Sequence, residues 1–88
     1  MILDSNNKQP IIEYPTKWDY KVIGEDIDKL LKAIEETVNG LEYEITPSNI
    51  SKGGKYFSLN LTVVVLSEVM RNRVFRDLDD HPNVKIVI

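Results

Sequence analysis

The sequence contains no cysteine and a single histidine among its 88 residues. The absence of cysteine excludes disulfide bonds, thiolate catalysis, and zinc or iron–sulfur sites held by thiolates. The chain also lacks a hydrophobic run near the roughly 20 residues that a membrane-spanning helix needs. Its start, MILDSNNK, does not have the form of a signal peptide. We therefore expect a cytoplasmic protein that does not bind membranes.

An excess of positive charge is missing as well. The chain has 11 Lys and Arg against 14 Asp and Glu, a formal net charge of −3, and the two signs are interleaved along it. This pattern disfavours nucleic acid as a partner, because such binding depends on concentrated positive charge. A chain of this length forms one small domain, which has little room for a large enclosed active site.

The strongest pattern present is an unbroken alternation from Lys55 to Val65, with the sequence KYFSLNLTVVV. In a strand, alternate residues share a face, so one face here carries Phe57, Leu59, Leu61, Val63 and Val65. The β-branched and aromatic composition favours a strand over a helix. We predict a strand with one dry face, which needs a strand on each edge and helices over that face.

Three other segments alternate in the same way. Lys17 to Ile23 predicts the first strand, ended by Gly24, and Leu41 to Ile45 predicts the second, which Pro47 limits. Val84 to Ile88 predicts a short last strand. In that last strand the alternation places Val84, Ile86 and Ile88 in the core and Val87 on the open face.

Two stripes of apolar residues at spacings of three and four predict amphipathic helices. The first begins after Glu25 and Asp26, ends at Asn39-Gly40, and carries Ile27, Leu30, Leu31, Ile34 and Val38. The second has Ser67 as its N-cap, is stopped at Asp80-His81-Pro82, and carries Met70, Val74 and Leu78, with Phe75 at its margin.

The order strand, helix, strand, strand, helix, strand predicts an α+β fold of the ferredoxin-like βαββαβ type. Right-handed crossovers and the adjacent hairpin predict an antiparallel sheet of order 4-1-3-2 with two helices on one face. We expect a single domain over residues 14–88, preceded by a flexible N-terminal tail at residues 1–13.

The segment YPTKWDYKVIG, Tyr14 to Gly24, resembles the opening signature of the YbeD-like family of small bacterial proteins. The segments Ser51 to Gly53 and Val84 to Ile88 are similar to that family's hairpin and last strand. The resemblance covers residues 14–88 and implies a ferredoxin-like fold similar to ACT regulatory domains. It implies a regulatory role and brings no catalytic residue with it.

In ACT-like domains the first strand–helix junction commonly takes an effector ligand, which here makes Ile23, Gly24, Glu25 and Asp26 the candidate ligand-binding residues. The two acids would repel an anionic ligand, although backbone amides at the helix start can still bind one. A purely structural turn is the alternative interpretation of the same residues.

Three further features each have a structural and a functional interpretation. His81 is either a C-terminal cap or a metal ligand with Asp77 or Asp80. The glycine-rich segment from Ser51 to Lys55 is either a hairpin turn or an anion cradle, and it lacks P-loop spacing. The arginines of the second helix form either a solvated face or a patch for a partner: Arg71, Arg73 and Arg76.

Three functions known for this architecture fail on specific residues. The first turn lacks the arginine of an acylphosphatase, the chain lacks the CxxC of a copper chaperone, and the open face lacks the aromatic residues of an RNA-recognition module. We therefore predict no enzymatic activity, no cofactor and no metal. The sequence favours a regulatory or protein-interaction module, with a small-metabolite sensor as the alternative, existing as a monomer or weak homodimer. Its interaction surface is predicted at the last strand, with Lys85 and Val87 as contact residues.

Overall fold

The structure is a computed structural model that describes residues 11–50 and 54–88. Its elements follow the predicted succession of strands and helices. They are β1 Thr16–Gly24, α1 Ile27–Thr37, β2 Tyr43–Ile50, β3 Phe57–Val65, α2 Glu68–Asp80 and β4 Ile86–Val87. Residues 1–10, which make up most of the predicted tail, lie outside the described residues.

The strands form one antiparallel sheet in the order β2-β3-β1-β4. Read from the other edge, this is the predicted order 4-1-3-2. β1 pairs with β3 along its whole length, with Tyr20 opposite Leu61. The two strongest strand patterns in the sequence therefore occupy the centre of the sheet.

One face of this sheet carries the core. Alternate residues of β1 and β3 are buried there, and both helices contribute to the same buried cluster, so α1 and α2 cover one face. Its members from the strands and helices are Tyr20, Val22, Leu59, Leu61, Val63, Val65, Val87, Leu30, Ala33, Ile34, Val74 and Leu78. The other face of the sheet is left without a helix among the described residues.

Both helices begin at a capping side chain, of which the sequence predicted Ser67. Asp26 Oδ1 accepts a hydrogen bond of 3.0 Å from the amide of Lys29, and Ser67 Oγ accepts one of 3.1 Å from the amide of Met70. Each side chain satisfies an amide at the start of its helix that has no partner within the helix. After α1 the chain turns at Gly40, whose φ of 86° lies in the left-handed region that favours glycine.

β2 is longer than the sequence predicted. It continues through Pro47 to Ile50, although the alternation predicted a strand from Leu41 to Ile45 that Pro47 would limit. Pro47 still lies opposite Leu59, and the register shifts between Pro47 and Ile50. An edge strand tolerates proline because the missing amide can face away from the sheet, and the shift absorbs the local mismatch.

The prediction that Val87 lies on the open face is wrong. Val87 is 8% exposed and lies opposite Val22 of the core, whereas Ile86 is 51% exposed. The alternation is interrupted because the amide of Lys85 donates to Ile23 O at 2.8 Å, although Ile86 is the residue in register with Ile23. Lys85, directly before β4, and Ile86 therefore both face Ile23, which is the arrangement of a β-bulge and puts Lys85 and Ile86 on the same side.

Arg71 joins α2 to the start of the domain instead of lying on a solvated face. Its guanidinium lies 4.4 Å from the centre of the Trp18 ring and donates to Tyr14 Oη at 3.4 Å, and its side chain is 19% exposed. The backbone carbonyl of Arg71 accepts a hydrogen bond of 2.7 Å from the Tyr20 hydroxyl. The expectation of a solvated face is thus wrong for Arg71, while Arg73 is 79% exposed and pairs with Asp77 at 4.0 Å.

The Tyr20 hydroxyl predicts a pH dependence of stability. Burial raises the pKa of the phenol from 10 to about 12. The Arg71 guanidinium favours the phenolate and so opposes this rise, but its effect is smaller. The folded state holds the phenol proton more tightly than the unfolded state does. The stabilisation that protonated Tyr20 gives to the folded state is therefore complete below pH 10 and is lost as the pH rises through 12. Tyr20→Phe should lower the free energy of unfolding at pH 7 by about 1 kcal/mol, through loss of the hydrogen bond to Arg71, and should remove this alkaline decline.

Urea unfolding followed by circular dichroism from pH 7 to 11.5 measures both effects. Tyr43→Phe is the matched control, since Tyr43 is 38% exposed. An equal alkaline decline in the wild type and the Tyr20→Phe variant would contradict the role given to Tyr20.

Candidate functional site

An apolar groove lies at the β4 end of the open sheet face. It encloses a volume of about 390 Å³ between the ends of three strands. The groove is lined by Lys21, Ile23, Tyr56, Phe57, Ser58, Lys85 and Ile86. We call this feature the open-face groove.

Strand pairing explains why these residues meet. Ile23 of β1 lies opposite Ser58 of β3 on one side and Ile86 of β4 on the other. Directly opposed residues in an antiparallel sheet project from the same face, so the two isoleucines form a continuous aliphatic floor. The β-bulge then adds Lys85 to the same side.

The polar groups of the groove are the ammonium groups of Lys21 and Lys85 and the hydroxyls of Ser58 and Tyr56. Lys85 Nζ lies 3.7 Å from Glu25 Oε2, but both side chains are about half exposed, at 56% and 51%. Such a surface pair stabilises little and can exchange for another carboxylate. The Ser58 hydroxyl oxygen is buried and has no hydrogen-bond partner among the described residues. The groove therefore suits a ligand that contacts the apolar floor and pairs its charges with the two lysines.

The structure gives the residues of the first turn separate roles. Ile23 lines the open-face groove, and Asp26 caps α1 with its own carboxylate. Gly24 is buried, and a Cβ there would lie 2.9 Å from both Asn83 O and Leu30 Cδ1. Glycine is therefore required at this position for close packing, since a side chain would displace the loop before β4.

A second, smaller cleft lies beside this turn. It has a volume of about 200 Å³ and is lined by residues of both charge signs: Glu25, Asp26, Lys29, Pro82, Asn83 and Lys85. Of the predicted ligand-binding residues, Glu25 and Asp26 face this cleft, whereas Ile23 and Gly24 do not line it. We call this feature the polar cleft.

The two predicted interaction residues, Lys85 and Val87, lie in different environments. Lys85 lines both cavities, whereas Val87 belongs to the core. Ile86 takes the exposed position that was predicted for Val87. Because the segment VKIVI has apolar residues at both odd and even positions, its alternation does not by itself decide which side faces the core.

His81 acts as the predicted helix cap. Its amide donates to Leu78 O at 3.1 Å, Nδ1 accepts from the Asn83 amide at 3.1 Å, and Nε2 lies 2.9 Å from Glu36 Oε1. Both ring nitrogens are thus engaged within the chain. No group of three or more potential metal ligands occurs in residues 11–50 and 54–88. Of the predicted anion cradle, residues 51–53 lie outside the described part.

The model of a protein family of unknown function, DUF493, matches residues 9–88. The chain belongs to this family. A UPF0250 protein from Leptothrix cholodnii is 34% identical over 97% of this chain and 98% of its own length. An uncharacterized protein from Campylobacter jejuni is 45% identical over 81% of this chain and 82% of its own. These matches confirm the resemblance to the YbeD-like family.

Two solved structures are similar to this chain over nearly its whole length. A solution structure of protein HP0495 from Helicobacter pylori matches with a TM-score of 0.81 and 29% identity, covering 100% of this chain and 97% of that one. A second solution structure of HP0495 matches with a TM-score of 0.64 and 32% identity, covering 98% and 100% of the two chains. In the described part of this family member, each helix is too short or too polar to cross a membrane.

The corrected register of β4 predicts opposite results for neighbouring substitutions. Val87→Lys should lower the free energy of unfolding by about 3 kcal/mol or more, because it places an unpaired charge in the core. Ile86→Lys, at a half-exposed position, should leave the fold intact. Urea unfolding and circular dichroism of the two variants test this, and a folded Val87→Lys beside an unfolded Ile86→Lys would reverse the register.

Proposed function

We propose that this family member is a non-enzymatic, cytoplasmic interaction module that binds a partner protein in its open-face groove. The observation that carries this proposal is the continuous apolar floor formed by Ile23 and the half-exposed Ile86, in a groove that Phe57 also lines. Isolated exposed apolar residues are ordinary on protein surfaces. An apolar patch gathered into a concave site and bordered by charges is typical of interaction sites.

The architecture supports the same proposal. In the ferredoxin-like arrangement the helices cover one sheet face, so the other remains available for a partner. The similarity to ACT regulatory domains that the sequence suggests is compatible with a regulatory role for that contact. The lysines Lys21 and Lys85 at the groove supply orientation, while the apolar floor supplies most of the contact.

Site-specific photo-crosslinking in the cell of origin tests the proposal. A benzophenone amino acid replacing Ile86 in the full chain should yield a discrete adduct with another protein. The adduct should fall at least fivefold when Ile23→Lys is added, since this change places a charge on the groove floor. A benzophenone at Lys32, which is exposed on α1, is the matched control. Identical adducts from both positions, or no adduct from position 86, would refute protein docking in the groove.

A small-metabolite sensor remains the second candidate, and the polar cleft favours it. Glu25 and Lys29 supply charges of opposite sign around a volume of about 200 Å³, which suits a zwitterion of amino-acid size. A ligand at 100 times its dissociation constant should add about 2.7 kcal/mol to the free energy of unfolding.

Thermal unfolding against a panel of the 20 amino acids measures this, with Glu25→Gln as the control that should abolish any shift. An absence of shifts across the panel, together with adducts from position 86, would leave the interaction module as the function.

A further inference from the structure

The outer edge of β4 carries backbone groups that point away from the sheet. Lys21 and Ile88 exchange hydrogen bonds in both directions, at 3.1 and 2.9 Å. In an antiparallel pair, hydrogen-bonded and non-hydrogen-bonded residue pairs alternate, so the next pair, Val22 with Val87, is non-hydrogen-bonded. The N–H and C=O of Val87 therefore face outward, and no strand lies beyond β4 among the described residues.

The side chains beside that edge are apolar on the open face. Ile86 and Ile88 are 51% and 70% exposed, and Ile86 continues into the open-face groove. A strand added next to β4 would place every second side chain against these two isoleucines. The free backbone groups and the apolar side chains are thus arranged for the same extended ligand.

The charges select the chemistry of that ligand. Lys21 and Lys85 line the groove at the β4 end of the open face. The opposite end of the same face carries Glu42 and Glu44. Carboxylates on a docking segment would be attracted to the β4 edge and repelled from the β2 edge.

A second copy of this chain fits the edge less well. In a symmetric dimer the same patch contacts itself, which brings the lysines of one groove towards those of the other. Pairing the β4 edge of one copy with the acidic β2 edge of another would match the charges. That contact is head-to-tail and leaves a free edge at each end, so it extends into a chain of copies instead of closing.

We infer that the partner docks as an added β-strand on the outer edge of β4, through a segment that carries apolar residues and Asp or Glu two positions apart, so that both project from its open-face side. This inference rests on the proposed function and identifies the partner's docking segment. Main-chain hydrogen bonds to Val87 would hold the segment, its apolar residues would contact Ile86 and Ile88, and its carboxylates would pair with Lys21 and Lys85.

Selection from a random library of twelve-residue displayed peptides, with the full chain as the target, tests the chemistry. Enriched peptides should carry aliphatic or aromatic residues and acids two positions apart, on the same face of the strand, and should lack central proline. Combining Lys21→Glu with Lys85→Glu should weaken binding of the best synthetic peptide at least tenfold. Lys32→Glu, on exposed α1, should leave it unchanged. Failure to enrich peptides, or enrichment of basic ones, would overturn the inference.

Amide hydrogen exchange, measured by NMR with and without a saturating synthetic peptide, tests the docking mode. Exchange at Val87 should slow at least tenfold. Tyr43 is the matched control at the other edge of the sheet. Val64 N donates to Glu42 O, so the next pair, Tyr43 with Val63, is non-hydrogen-bonded. The N–H of Tyr43 therefore faces away from β3. Protection of Tyr43 alone, unchanged exchange at Val87, or a peptide-independent dimer in sedimentation would each overturn strand addition at β4.

Different results would reject the interaction module and the added strand. Adducts from position 86 in the cell, combined with unchanged exchange at Val87, would preserve the interaction module and reject the added strand. Loss of those adducts would reject the interaction module itself.

Discussion

The pairing of β1 with β3 is the constraint on which the rest of the structure depends. These two strands run antiparallel over the whole of Thr16–Gly24, with Val22 opposite Leu59 and Tyr20 opposite Leu61. Because opposed residues share a face, this register determines which side of the sheet is apolar and therefore where both helices pack. It also fixes β4, since Val87 can face the core only because it lies opposite Val22. A shift of one residue in the central pair would exchange the core with the open face.

Tertiary contacts at the two ends of β1 hold the helices in place on that sheet. At one end, the Arg71 guanidinium stacks on Trp18 and its carbonyl accepts from the Tyr20 hydroxyl, which joins α2 to the strand. At the other, Gly24 leaves room for Leu30 of α1 and for the Asn83 carbonyl of the loop before β4. The close approach of the loop to Gly24 also brings Glu25 and Lys85 together. The polar cleft between them therefore depends on the absence of a side chain at Gly24.

The sequence was sufficient to predict those features that depend on local periodicity and local caps. The faces of β1 and β3, the capping roles of Ser67 and His81 and the strand order all follow from patterns within a few residues or from general rules of connection. The face of Val87 did not follow, because it depends on a hydrogen bond between Lys85 and Ile23, 62 positions apart in the printed numbering. The environment of Arg71 was missed for a similar reason, since a guanidinium stacked on a distant indole has the same local sequence context as a solvated one.

The error in β4 and the existence of the candidate site have the same cause. Had Val84 to Ile88 alternated regularly, Ile86 would have entered the core, and the open face would have ended in Lys85 and Val87 without the aliphatic floor. The extra residue at Lys85 instead places a lysine and an isoleucine side by side on the open face, beside Ile23. β-bulges are over-represented at sheet edges and next to functional sites, where they redirect a side chain. Departures from simple sequence rules are expected to concentrate at functional sites, and in this chain the clearest departure in side-chain orientation places Ile86 in the floor of the open-face groove.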